Sequence, residues 1–179
     1  MKHKFLQIIV ILVSILVAIF IFRSDFVENT ISNIGDFGFL GIFVAGIFYA
    51  YSFTVAPALA ALILFAKSFN PLLVSLLGAL GATVGNYLLF HLIRDELPEE
   101  AEKLMKELEK EESIVLKKLK YHWILPLTVA IIFVSPLPDE LGVSLLGTAK
   151  FNPIKFILLV FFLHFIGLLA ITSIIYFLL

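Results

Sequence analysis

Three stretches of this chain leave almost no choice of solvent. Residues 5–22 are apolar except for Gln7 and Ser14. Between residues 71 and 92 the clearly polar side chains are Ser75, Thr83, Asn86 and His91, and between 154 and 179 they are Lys155, His164, Thr172, Ser173 and Tyr176. A helix needs about 20 apolar residues to cross a hydrocarbon core of roughly 30 Å, and each stretch meets that length. Hydrophobic residues make up 61% of the 179-residue chain and charged residues 15%. Soluble domains hold about half and a quarter, so the apolar mass exceeds what a soluble core would hide. The sequence predicts an all-α integral membrane protein forming a single membrane domain over residues 1–179.

Met1-Lys2-His3-Lys4 precede the first run. That run is long for a signal peptide and no small-x-small cleavage site follows it, so residues 5–22 read as an uncleaved anchor helix. Two further apolar segments, 38–66 and 123–149, fit no simple span, being too long for one and too short for two. The first is interrupted by Tyr51-Ser52-Phe53-Thr54 and then Pro57, the second by Ser135-Pro136-Leu137-Pro138-Asp139-Glu140. Proline removes a backbone donor and pushes the preceding residue out of helix. Non-helical backbone at membrane depth survives only where protein buries it or water reaches it. Both segments therefore read as re-entrant hairpins with breaks marked by Pro57, Pro136 and Pro138.

The hairpins belong to an internal repeat. Phe69-Asn70-Pro71 recurs as Phe151-Asn152-Pro153, and Gly85 maps at the same offset onto Gly167. Each unit is a broken hairpin, a Phe-Asn-Pro turn and a full span, over residues 36–94 and 122–179. Between them, 97–120 carries most of the charge, with Leu97, Ala101, Leu104, Met105, Leu108, Val115, Leu116 and Leu119 near helical period. It reads as an amphipathic helix on the membrane surface. Folding back on the bundle is an equal form of that reading, and a partner-binding or coiled-coil role is its alternative.

Charge sets the orientation. Lys2 and Lys4 hold the N-terminus in the cytoplasm. With both hairpins returning to their own side, only Arg23 and Lys67 of the 13 Lys and Arg residues lie outside. The expected architecture is three spanning helices plus two proline-broken re-entrant hairpins arranged as an inverted repeat, with one cytoplasmic amphipathic helix, in a multi-pass protein of the cell membrane.

The net charge of −1 offers no basic excess for nucleic acid, and the absence of cysteine excludes disulfides, thiolate metal sites and a cysteine nucleophile. No metal-ligand spacing, nucleophile elbow or phosphate loop occurs, so neither a metal, a cofactor nor an enzymatic activity is expected. Ser52, Ser135 and Ser144 leave an intramembrane hydrolase as a minor alternative.

Asp139 and Glu140 are the carboxylates inside an apolar segment, and intramembrane charges are functional candidates by default. They fit either a cap on a helix N-terminus or a proton- or cation-binding site at the hairpin tip. His164, mid-way along the last span, is either a satisfied core histidine or a proton relay with them. Asn86 is read as bonding hairpin backbone, while Tyr51, Ser52 and Thr54 either satisfy carbonyls freed at the first break or line a polar path. His91 and Arg94 read as headgroup-facing. Gly78, Gly81 and Gly85 are spaced for close helix contact.

Gly85-Asn86-Tyr87 through Arg94 resembles a glycine-rich helix ending Gly-Asp…Tyr…Gly-Arg. Phe133-Val134-Ser135-Pro136, then Leu146-Gly147, then Phe156 resembles a second pattern of Arg-x-x-Pro, Ala-Gly and phenylalanine. In this order the motifs resemble the DedA superfamily, also called the VTT or SNARE-associated Golgi protein family, over roughly residues 36–94 and 122–175. The chain differs in having Tyr51-Ser52-Phe53-Thr54 where the family has acidic residues, acidic residues where it has arginines, and Asn86 for an aspartate. The resemblance implies facing re-entrant hairpins and movement of lipids between leaflets, either phospholipid scrambling or return of a polyprenyl-phosphate carrier, with proton coupling in some members. A lipid translocase or scramblase is thus the first expectation, with membrane lipids and a coupling proton as partners and homo-oligomerisation open. A proton-coupled exporter of small cationic solutes, as in a similarly laid out group of small multidrug exporters, is the second. A non-transporting membrane-shaping or assembly protein is the third.

Overall fold

The computed structural model describes residues 2–33, 35, 37–95, 124–134 and 139–178. Among the described residues the chain is all helical, without strands. The helices are α1 (Lys2–Arg23), α2 (Asp25–Asn33), α3 (Phe37–Tyr49), α4 (Val55–Ser68), α5 (Pro71–Asp95), α6 (Leu125–Val134), α7 (Asp139–Thr148) and α8 (Pro153–Leu178). The expected amphipathic segment 97–120 and the prolines Pro136 and Pro138 lie outside the described residues. Two compact units form, one from Met1–Asn86 with Val160–Leu179, the other from Tyr87–Leu159.

Two helices, Pro71–Arg94 within α5 and Pro153–Leu178, are long and apolar enough to cross a membrane. The core helix of a soluble protein would be mostly buried. Only 22% of the apolar window of α8 is buried, and Ile154, Leu158, Phe162, Ile166, Ile174 and Phe177 stand exposed along it.

Both long helices begin by the same local chemistry, which explains the repeated tripeptide. The side-chain Oδ1 of Asn70 accepts the N–H of Leu72 at 2.8 Å. That of Asn152 accepts the N–H groups of Ile154 and Lys155 at 3.0 and 3.2 Å. Asparagine is a strong N-cap, and proline at the first helical position gives up an N–H that would lack an intrahelical acceptor anyway.

In the first unit, α1 ends at Arg23 and α2 restarts at Asp25. Ser24 Oγ accepts the Val27 N–H at 3.4 Å, and Asp25 and Glu28 occupy the first turn of α2, where the helix dipole favours them. This short helix was not among the expected elements; its nine residues are fewer than the roughly eleven over which a helical period is read. Helices α3 and α4 form an antiparallel hairpin. A side chain at Gly41 would meet the Phe65 ring, and Phe39 packs on Phe69 with ring centroids 5.7 Å apart. At 13 and 14 residues each arm is about 20 Å long.

The non-helical residues between the arms are 50–54, and Pro57 is the third residue of α4. It sits in the first turn, where a missing N–H costs no intrahelical bond, so it starts the second arm while the turn itself is built by hydrogen bonds. Thr54 Oγ1 donates to the Phe48 carbonyl at 2.6 Å, and the backbone N–H groups of Ala50, Tyr51 and Thr54 donate to Ile47, Phe48 and Tyr51.

The hairpin lies on α5 along glycines. A Cβ at Gly46 would fall 2.2 Å from the Gly78 carbonyl oxygen, and one at Gly81 2.1 Å from that of Phe43. The helices therefore meet backbone to backbone. Ile42, Leu62, Leu64, Phe65, Val74 and Leu168 form the buried core around this seam. Helix α8 joins the same core: Ser75 and Thr172 hydroxyls bond at 3.0 Å, and a Cβ at Gly78 would meet both Leu168 and Leu62.

In the second unit α6 and α7 form another antiparallel pair, with Gly142 facing Val129 and Phe133. Gly147 faces Ile93 and the Phe90 carbonyl, and Phe90 stacks on Phe156 at 4.2 Å. Helix α7 ends in a Schellman motif: Phe151 N–H donates to Leu146 and Lys150 N–H to Gly147. Lys150 takes the left-handed position usually given to glycine, at φ 49°.

Candidate functional site

The polar residues expected at the first break come together at the tip of the α3–α4 hairpin. Tyr51 Oη donates to the Gly85 carbonyl of α5 at 3.2 Å, and its ring stacks on Phe53 at 6.2 Å. Thr54 serves the carbonyls of Phe48 and Tyr51. Ser52 is half-buried and also bonded.

Beside Gly85, Asn86 is fully buried at 0% exposure. Its Nδ2 donates to the Ala82 carbonyl of its own helix at 3.1 Å, not to the hairpin backbone expected from the sequence, and its Oδ1 has no hydrogen-bond partner among the described residues. His164 on α8 is 5% exposed. Its Nδ1–H donates to the Val160 carbonyl at 2.9 Å, and its ring meets Tyr49 edge-on at 5.7 Å. Tyr49 was not singled out from the sequence; its place in the last turn before a polar break, two residues from Tyr51, was the available signal. The hairpin tip thus touches α5 through Tyr51 and α8 through Tyr49, beside the Asn86 oxygen left without a partner among the described residues.

In the second unit Asp139 and Glu140 are the first two residues of α7, in its first turn. They are half-buried, and both are engaged in interactions. The N-terminal dipole of α7 stabilises either carboxylate there. These residues belong to the second unit and His164 to the first. At the end of α5, His91 stacks on Tyr87 at 6.0 Å, and Arg94 donates to the Phe151 carbonyl at 3.4 Å while lying 5.9 Å from the Phe90 ring. Among the described residues no cluster of three or more potential metal ligands occurs.

Comparison with protein-family models, with curated proteins and with solved structures yields no match to the chain.

Proposed function

We propose that this chain is a multi-pass protein of the cell membrane, N-terminus in the cytoplasm, that moves a lipid or lipid carrier between leaflets. The observation that carries the reading is the buried Oδ1 of Asn86, without a partner among the described residues, beside the tip of a short hairpin. Gly85, where Tyr51 bonds, lies about 21 Å along α5, which is itself about 37 Å long for 25 residues. A hairpin whose tip stops there is re-entrant in a hydrocarbon core of roughly 30 Å, and it brings hydroxyls and an open acceptor to membrane depth. A passing headgroup needs such groups, because each unmet polar atom in lipid costs several kcal/mol.

The finer architecture is part of the proposal: α1, α5 and α8 span, and the α3–α4 and α6–α7 pairs are re-entrant hairpins in an inverted repeat. It draws support from the recurring Asn-Pro caps and from the bias of Lys and Arg toward one side. The resemblance to the DedA superfamily points the same way.

Proteoliposomes with fluorescent lipids test the function. Protein-dependent loss of inner-leaflet protection from a membrane-impermeant quencher, without a proton gradient, is expected, and Asn86→Leu should slow it. Rates equal to protein-free vesicles would overturn the proposal. The half-buried carboxylates opening α7 favour a second reading, a proton-coupled exporter of cationic solutes. For that reading the same vesicles would show pH-driven cation efflux, abolished by Asp139→Asn with Glu140→Gln, and no scrambling. Single cysteines at positions 67 and 150, in a chain that has none, should label from opposite sides; labelling from one side would refute the inverted repeat.

A further inference from the structure

Helices α1 and α4 pack side by side in the first unit but leave a groove between them of about 420 Å³. Its walls are Ile15, Ile19 and Phe22 from α1 and Ala56 and Leu59 from α4, and its polar end is Arg23. Apart from Arg23 the lining residues are apolar, and the groove is not enclosed, which suits an acyl chain. From Ile15 to Arg23 it runs about 12 Å along the helix.

The charges at the Arg23 end are divided unequally. Lys67 is committed, with its Nζ 3.1 Å from Glu28 Oε1 and 5.5 Å from the centre of the Phe22 ring. Arg23 and Asp25, on either side of the α1–α2 break, are exposed and make no ion pair among the described residues. Arg23 lines the groove and Asp25 follows it two residues on in the chain; this cation and anion, unpaired among the described residues, match a headgroup that carries both signs. A guanidinium suits a phosphate and a carboxylate suits an ammonium.

We infer that the α1–α4 groove is a binding site for a zwitterionic phospholipid: one acyl chain lies in the groove, the phosphate sits at Arg23 and the ammonium at Asp25. The site is separate from the path at Asn86 and rests on the membrane reading alone. A lipid held here seals α1 to the hairpin at the level where the hairpin opens.

Native mass spectrometry of the detergent-solubilised full chain, titrated with phosphatidylethanolamine, phosphatidylglycerol and diacylglycerol of matched chains, tests the inference. Phosphatidylethanolamine should be retained at least 5-fold better than either of the others, a ratio of about 1 kcal/mol. Arg23→Gln should remove the advantage over diacylglycerol, and Asp25→Asn the advantage over phosphatidylglycerol. Ala18→Phe, which fills the groove from α1, should lower retention of all three. Equal retention of the three lipids by the wild type, or unchanged retention in Arg23→Gln and Ala18→Phe, would overturn it. Carbonate extraction of membranes separates the two failures. Release of the protein would sink the membrane reading and this site with it, whereas retention in the membrane with no lipid preference would sink this site alone.

Discussion

Gly81→Ala isolates the contact that holds the first hairpin. The added Cβ would lie 2.1 Å from the Phe43 carbonyl oxygen and 2.9 Å from the Ile47 nitrogen, well inside the roughly 3.3 Å at which even a Cα–H···O contact settles. Both obstacles are helix backbone, which cannot rotate away, so α3 must move off α5 by about 1 Å. A gap of that size forfeits a quarter to a half of the dispersion well for each contacting pair, and overpacking of this kind costs about 1–3 kcal/mol. Alanine recovers roughly 1 kcal/mol of helix propensity over glycine. With the upper end of the steric range appropriate to a backbone obstacle, the net loss is about 2 kcal/mol. Gly167 provides the matched control: it too is inside a long helix, but nothing lies within 4 Å of its Cβ position, so Gly167→Ala should gain up to about 1 kcal/mol from propensity. Thermal or denaturant unfolding in one detergent, followed by helical circular dichroism, compares the pair directly. Shifts of the same sign in both variants would refute the glycine seam, and so would a gain in Gly81→Ala.

Other substitutions read individual contacts. Asn70→Ala and Asn152→Ala each remove an N-cap and should each cost about 1 kcal/mol in the same unfolding assay, with additive effects in the double variant; no loss in either would show the caps idle. Lys150→Gly should stabilise by about 1 kcal/mol, because a side chain in the left-handed region costs roughly that much and the Schellman bonds are backbone only. A destabilised variant would mean that the Lys150 side chain contributes more than its strain removes. Asn86→Leu should raise stability by about 1 kcal/mol or more by removing an unmet acceptor while slowing lipid movement. A stability loss would show that the amide is already satisfied.

Much of the helical framework was legible because it follows local rules. The Phe-Asn-Pro turns mark the starts of α5 and α8 through capping chemistry that needs only neighbouring residues. The two long apolar helices follow from composition over about twenty positions. The first break was legible as polar residues in an apolar run, but its exact place was not. Pro57 drew the eye, while the turn is made earlier by Thr54 bonding back to Phe48, a loop closure that residue type alone does not specify. Helix α2 escaped because its nine residues are shorter than the window over which a helical period is read. Asn86 and His164 were legible as polar residues at depth. That Asn86 keeps an unmet oxygen while His164 meets Tyr49 edge-on depends on packing between helices distant in sequence.

The polar inventory of the long helices has one logic, and Asn86 is where it breaks. Thr83 and His164 donate to the carbonyls four residues back, on Ala79 and Val160; Ser75 and Thr172 lie within reach of those of Pro71 and Leu168, and one of their two protons closes the 3.0 Å bond between them. A helix interior offers a side chain this one kind of partner, an acceptor, because its N–H groups are already used by the ladder. A hydroxyl needs a partner for only one proton and is content. A carboxamide carries two N–H donors and an acceptor oxygen, so it can settle an Nδ2 proton on Ala82 as the others do but has nowhere local to settle Oδ1. In an apolar solvent that oxygen must be met from outside the helix or remain a standing cost of about 1–3 kcal/mol. A serine or threonine at position 86 would avoid the cost. On the proposed function, the carboxamide is the receiver of a transient donor, and the hairpin tip that bonds Gly85 is the element that brings polar groups near it.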